Sequence, residues 1–131
     1  MELLVTIAIV SIISAVAVPT YNSYRIKANR SDAITSLLAL QVKQERYRLT
    51  HDTYGGLADF WGANTKTPDG QYEVSISQIS SQSYQLKATA LGSQADDDEC
   101  SEILLTYRNG KITKSPGLCW GLSVNTPPLV N

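Results

Sequence analysis

The chain is poor in the residues that carry chemistry. It has one histidine, His51, and two cysteines, Cys100 and Cys119. A triad or a Cys–His pair needs an imidazole set against a nucleophile, and the sequence places no such partner beside His51, which sits where a helical pattern ends and reads as structural or solvent-facing. Two cysteines and one distant histidine cannot fill the four positions of a zinc site. Gly55-Gly56 is a turn, with no Walker or dinucleotide pattern around it, so an NTPase is excluded. Charge of one sign is also lacking. Eleven Lys and Arg stand against 12 Asp and Glu, for a net charge of −1, which fits neither a disordered polyelectrolyte nor a strongly basic nucleic-acid binder. At 131 residues the chain has material for one domain with one modest core, not for a multidomain enzyme. No internal repeat or low-complexity segment interrupts it.

Charge is absent altogether from Leu3 to Val18, and every Lys and Arg lies at or beyond Arg25. The run LLVTIAIVSIISAVAV would span about 24 Å as a helix, short of the roughly 30 Å of bilayer hydrocarbon. A secretory signal would need basic residues ahead of the run and a small-residue cleavage site behind it. Here Glu2 precedes it and Pro19-Thr20-Tyr21 follow. A carboxylate at the edge of such a helix is costly to desolvate unless it meets a cation or lies at the interface. Within the first 24 residues only an N-terminal amine can neutralise Glu2, its own or a neighbour's.

MELLVTIAIVSIISAVAVPTYNSY resembles the N-terminal signature of type IV pilins and their minor-pilin and pseudopilin relatives. RIKANRSDA, QERYRLTHDTYGGLADFW, PDGQYEVSI and a closing Cys…Cys-Trp extend the resemblance over nearly the whole chain, toward the PilE-like branch. Glu2 then corresponds to the family's glutamate ahead of the apolar helix, Pro19 to its kinking proline, and Tyr21 and Tyr24 to the aromatic pair after it. Met1-Glu2 departs from the family's Phe-Thr-Leu start: either the mature end differs or, the favoured reading, three residues are missing ahead of it, which would lengthen the helix to about 28 Å. The resemblance implies an α+β pilin fold: a long N-terminal helix, apolar then amphipathic, packed on a four-stranded antiparallel sheet with a disulfide-bounded C-terminal loop. It implies a prepilin peptidase and pilus assembly machinery as partners. It also implies residence in the inner membrane before assembly and in an extracellular filament afterwards.

Residues 1–24 are expected to form the membrane or filament-core helix and 25–131 the head. In the head, the apolar residues Ile34, Leu37, Leu38, Val42 and Leu49 recur at three- and four-residue spacings, the pattern of an amphipathic helix over 25–50. Pro19 removes a backbone donor and disfavours helical geometry at Val18, so the long helix should kink or open there, weakened further if Ser11 and Ser14 bond back to carbonyls. The family's filaments imply local unwinding over Ser11 to Pro19, although a glycine common there is Ser11 in this chain. Residues 51–70 read as a connecting loop pinned to the core by Tyr54, Leu57, Phe60 and Trp61. Tyr72, Val74 and Ile76 alternate, as do Tyr84 to Ala90 and Ile103 to Tyr107, and Asn109-Gly110 before Lys111-Ile112-Thr113 is the chemistry of a two-residue type I′ hairpin. Four strands over 71–114 result. The tail, 120–131, reads as loose from Asn125 onward.

Cys100 and Cys119 flank that last hairpin and come together if Asn109-Gly110 is its tip. A disulfide there would contribute about 3 kcal/mol and needs an oxidising compartment. Two reduced buried thiols are the alternative. Asp96-Asp97-Asp98-Glu99 concentrates four carboxylates; without ligand spacing of the EF-hand kind, a solvated loop is the plainer reading than a calcium site. No cofactor or metal is expected. Lys87, Arg108, Lys111 and Lys114 are candidate contacts to DNA or a surface, but scattered cations on a slightly acidic protein read more plainly as a solvated face, and DNA is not the favoured partner.

The first functional reading is the major structural subunit of a type IV pilus, an open helical homopolymer held by the apolar helix, with Glu2 and Pro19 as its assembly residues. The second is a minor pilin acting as a binding module, including a DNA-uptake receptor. A type II secretion pseudopilin ranks third. An anchored enzyme ranks last, for want of a catalytic set.

Overall fold

A computed structural model describes residues 1–122. One helix, α1, runs from Glu2 to Arg48 and carries the rest of the chain on its second half. A short helix α2 (Leu57–Trp61) follows, then strands β1 (Tyr72–Ser77), β2 (Ser83–Ala90), β3 (Glu102–Arg108) and β4 (Lys111–Ser115). The strands form one antiparallel meander in the order β1-β2-β3-β4. Single 3₁₀ turns cover Gly92–Asp96 and Gly117–Trp120. The fold is therefore α+β, a long N-terminal helix packed on a four-stranded antiparallel sheet, with Cys100 and Cys119 joined by a disulfide at a Cα separation of 5.8 Å. The tail from Asn125 lies outside the described residues.

Period decides the packing. Ala33, Leu37, Leu40 and Gln44 follow the helical spacing along one face of α1 and are fully buried. Against them lie the inward residues of the strands, Tyr72 and Val74, then Tyr84, Leu86 and Ala88, then Ile103 and Leu105. Every second residue of β2 is buried, as expected where one sheet face meets a helix and the other meets water. Asn109 and Gly110 both have positive φ, 50° and 82°, the geometry a type I′ turn demands and an Asn-Gly pair accommodates.

The amphipathic reading of α1 needs one correction. Leu37 faces the core, but Leu38, Val42 and Leu49 are exposed at 38%, 51% and 84%. The buried line is instead Ala33–Leu37–Leu40–Gln44, so the expected stripe splits into two faces. Pro19 lies inside α1 without ending it, as expected. The stretch expected to open is helical: proline deletes one bond to the carbonyl four residues back, while its neighbours keep theirs. Ser11 does bond back, its Oγ donating to the carbonyl of Ile7 at 2.7 Å.

The segment 51–70 contains α2, which its lack of period concealed. Its start is fixed by the Gly56 N–H donating to Asp59 Oδ2 at 2.7 Å. Tyr54 is buried, and Leu57, Phe60 and Trp61 pack on the core. Two polar side chains of α1 complete the attachment. Gln44 Nε2 donates to the Gly55 carbonyl at 2.7 Å, and the Gly55 N–H returns a bond to Gln44 Oε1 at 2.9 Å. Thr67 donates a hydrogen bond to Asp32, whose other oxygen accepts from the Asp69 N–H.

Candidate functional site

The apolar half of α1 is long and hydrophobic enough to cross a membrane by length and composition, and none of its most hydrophobic window is buried against the head. Glu2 stands in its first turn, exposed, with no ion pair among the described residues. Tyr21 and Tyr24 sit just past Pro19, 66% and 73% exposed, and with Ile12, Ile13 and Val16 they border one apolar groove.

The four expected cations do not gather on one face. Sheet register separates them. Lys87, Arg108 and Lys111 point away from α1, because their neighbours Leu86, Ala88, Tyr107 and Ile112 point toward it. Lys114 pairs with Leu105 and so lies on the opposite face, its Nζ 4.9 Å from the centre of the Trp120 ring. Lys87 is engaged by Glu102 at 3.2 Å. Arg108 and Lys111 are directly opposite one another at the base of the β3–β4 tip. Arg108 Nη2 donates to Gln78 Oε1 at 3.2 Å, tying this hairpin to the β1–β2 tip.

A further cation, which sequence reasoning passed over, lies on the helix side of the tip. Arg48, in the last turn of α1, lines a groove of about 580 Å³ together with Tyr54, Gln82, Tyr107, Asn109 and Gly110. Its Nη1 donates to the His51 carbonyl at 2.7 Å, which fixes the guanidinium at the groove wall. The Asn109 N–H donates to the Gln82 carbonyl at 2.9 Å, so the two hairpin tips form one ledge at the far end of the head. Beneath it Tyr84 stacks on Tyr107 at 5.2 Å between ring centres, and Tyr54 meets both edge-on. Burial raises the phenol pKa values of Tyr54 and Tyr84; the neighbouring Tyr107 adds to the first and the charge of Glu45 to the second.

At the other end of the head the acidic run is not a free cluster. Arg30 of α1 holds Asp97 with two bonds, Nε to Oδ2 at 2.8 Å and Nη2 to Oδ1 at 2.7 Å, and reaches Glu99 at 3.0 Å. The bond to Asp97 raises the guanidinium pKa above its usual value, against an opposing effect of burial. No group of three or more His, Cys, Asp or Glu side chains suited to a metal ion occurs among the described residues. The same end is stapled by the buried Gln94, which donates to the carbonyl of Ile26 at 2.8 Å and accepts from Asn29 at 3.0 Å.

The family model described as type IV minor pilin ComP, DNA uptake sequence receptor, matches residues 19–104, well over half of the chain. The chain belongs to this family. No curated protein matches it. The match begins at Pro19 and runs through the helix–loop–sheet body, stopping within β3, so the β3–β4 tip lies beyond it. A minor pilin was the second sequence reading, not the first. A type IV pilin is in keeping with a long apolar helix carrying a disulfide-linked head.

Proposed function

We propose that this chain is a minor pilin that is anchored by α1, enters a type IV filament, and binds duplex DNA through the far end of its head. The observation that carries the reading is the match over residues 19–104 to a family described as a DNA uptake sequence receptor. The ledge supports it, since Arg48, Arg108 and Lys111 surround the two hairpin tips with cations suited to phosphate. Lys87 and Lys114 contribute less, the first held by Glu102 and the second set over the Trp120 ring, farther along β4 from the tip.

Assembly is proposed to run through α1. An all-apolar helix leaving lipid needs an equally dry destination, which a bundle of like helices provides. There Glu2 would pair with the N-terminal amine of a neighbouring subunit and set the register, because a slipped helix would bury the carboxylate unpaired. Inner membrane first and filament afterwards is the localisation this implies. The test is duplex binding by the full chain in detergent, read by fluorescence anisotropy. Wild type binds, and the double variant Arg108→Gln/Lys111→Gln binds at least about fivefold more weakly; equal binding by the two would refute the assignment of the ledge.

A further inference from the structure

A receptor for a particular DNA sequence needs more than phosphate contacts, which carry no sequence directly; contact with base edges is the direct way to read it. The ledge holds groups suited to that task. Asn109 occupies the tip of a two-residue turn, exposed, with Gln82 exposed beside it, and the bond from the Asn109 N–H to the Gln82 carbonyl sets the spacing of the two residues. A side-chain amide carries both a donor and an acceptor, the pair that matches N6 and N7 of adenine in the major groove. The tip is a two-residue turn closing β3 and β4, with β2 paired to β3 as far as Ser83 and Arg108 and the β1–β2 tip bonded alongside, so what would meet a major groove about 12 Å wide is the joint edge of the two tips. Cations stand on both sides of the tip, Arg108 and Lys111 on the outer sheet face and Arg48 on the helix side, as the phosphates on the two walls of a groove require.

We propose that the joint edge of the two tips meets the major groove and that the amides of Asn109 and Gln82 read base edges there, one of them an adenine. This rests on the proposed function. It makes Arg48, Arg108 and Lys111 positioning groups that hold any sequence, and the two amides the groups that choose among sequences.

The experiment takes the full chain in detergent through a randomised pool of duplexes, then measures the enriched duplex against a scrambled one. Asn109→Gly keeps a residue content with positive φ while deleting the amide, and Gln82→Ala deletes the other at an exposed position. Each is expected to reduce the preference for the enriched duplex by about tenfold with scrambled binding within about twofold of wild type. Arg108→Gln is expected to weaken both duplexes alike. Preference that survives both amide substitutions overturns the proposal. So does a scrambled affinity that falls in step with the enriched one, or a pool that yields no enriched sequence while still binding; in these cases DNA binding itself stands. A chain that binds no duplex at all overturns the function and the inference together.

Discussion

Replacing Arg30 by Met would remove the charge and keep most of the stem that packs along α1. Asp97 would then remain with its side chain 4% exposed, against 13% for Arg30, and without either of its two guanidinium bonds. Removing one partner of a buried pair costs about 3–5 kcal/mol; the partial exposure of Arg30 and water entry place this case at the low end, about 3 kcal/mol. The Glu99 contact adds little, since that side chain is 59% exposed. For a head of this size about 3 kcal/mol corresponds to a fall in Tm on the order of 15 °C. Thermal unfolding of the full chain in detergent, followed by near-UV circular dichroism, reports the head because the ordered aromatic cluster lies there. Asp97→Asn alone should cost less, since Arg30 is the more exposed partner and keeps Glu99 at 3.0 Å, and Arg30→Met added to it should cost little more. A Tm for Arg30→Met within about 3 °C of wild type, or additive effects in the double variant, would refute the reasoning.

Opening the Cys100–Cys119 bond frees the segment that ends in Trp120; reduction should destabilise the head by about 3 kcal/mol, and an unchanged Tm under reducing conditions would contradict this. Tyr54, Tyr72 and Tyr84 have raised pKa values, chiefly from burial, so the folded state binds protons that the unfolded state releases above pH about 10. Stability is thus fully present below that pH and is lost as pH rises beyond it; a Tm unchanged between pH 9 and 11, measured against phenolate absorbance, would contradict the burial argument. Glu2→Ala should abolish or sharply reduce incorporation into sheared filaments, scored by mass spectrometry, with the head Tm unchanged; normal incorporation would remove the charge-pairing role.

The sheet was legible because its signals are local. Alternation at Tyr84–Leu86–Ala88–Ala90 and an Asn-Gly pair need no knowledge of the rest of the chain. The helix was half legible: hydrophobic period found Leu37 but counted Leu38 and Val42 with it and passed over Gln44, whose amide is buried because a loop backbone meets it. The same blindness hid Asp32–Thr67, Gln94 and Arg30–Asp97, polar groups joined across 35 to 68 residues of sequence. An acidic run with the basic residues Arg25, Lys27 and Arg30 at the start of the amphipathic half was the one available hint. The candidate site was legible in its residue types but not in its grouping. Lys87, Arg108, Lys111 and Lys114 were all named, yet strand register put Lys114 on the other face, and Arg48 joined the set only because α1 ends beside the hairpin tip.

The central claim is that the far end of the head holds duplex DNA by phosphate contacts. It is tested most directly by the salt dependence of binding to the full chain. Three contacts, from Arg48, Arg108 and Lys111, predict a slope of log K against log salt of about −2.7, and the Arg108→Gln/Lys111→Gln variant about −0.9. A wild-type slope near zero, or one that the double substitution leaves unchanged, would contradict the account.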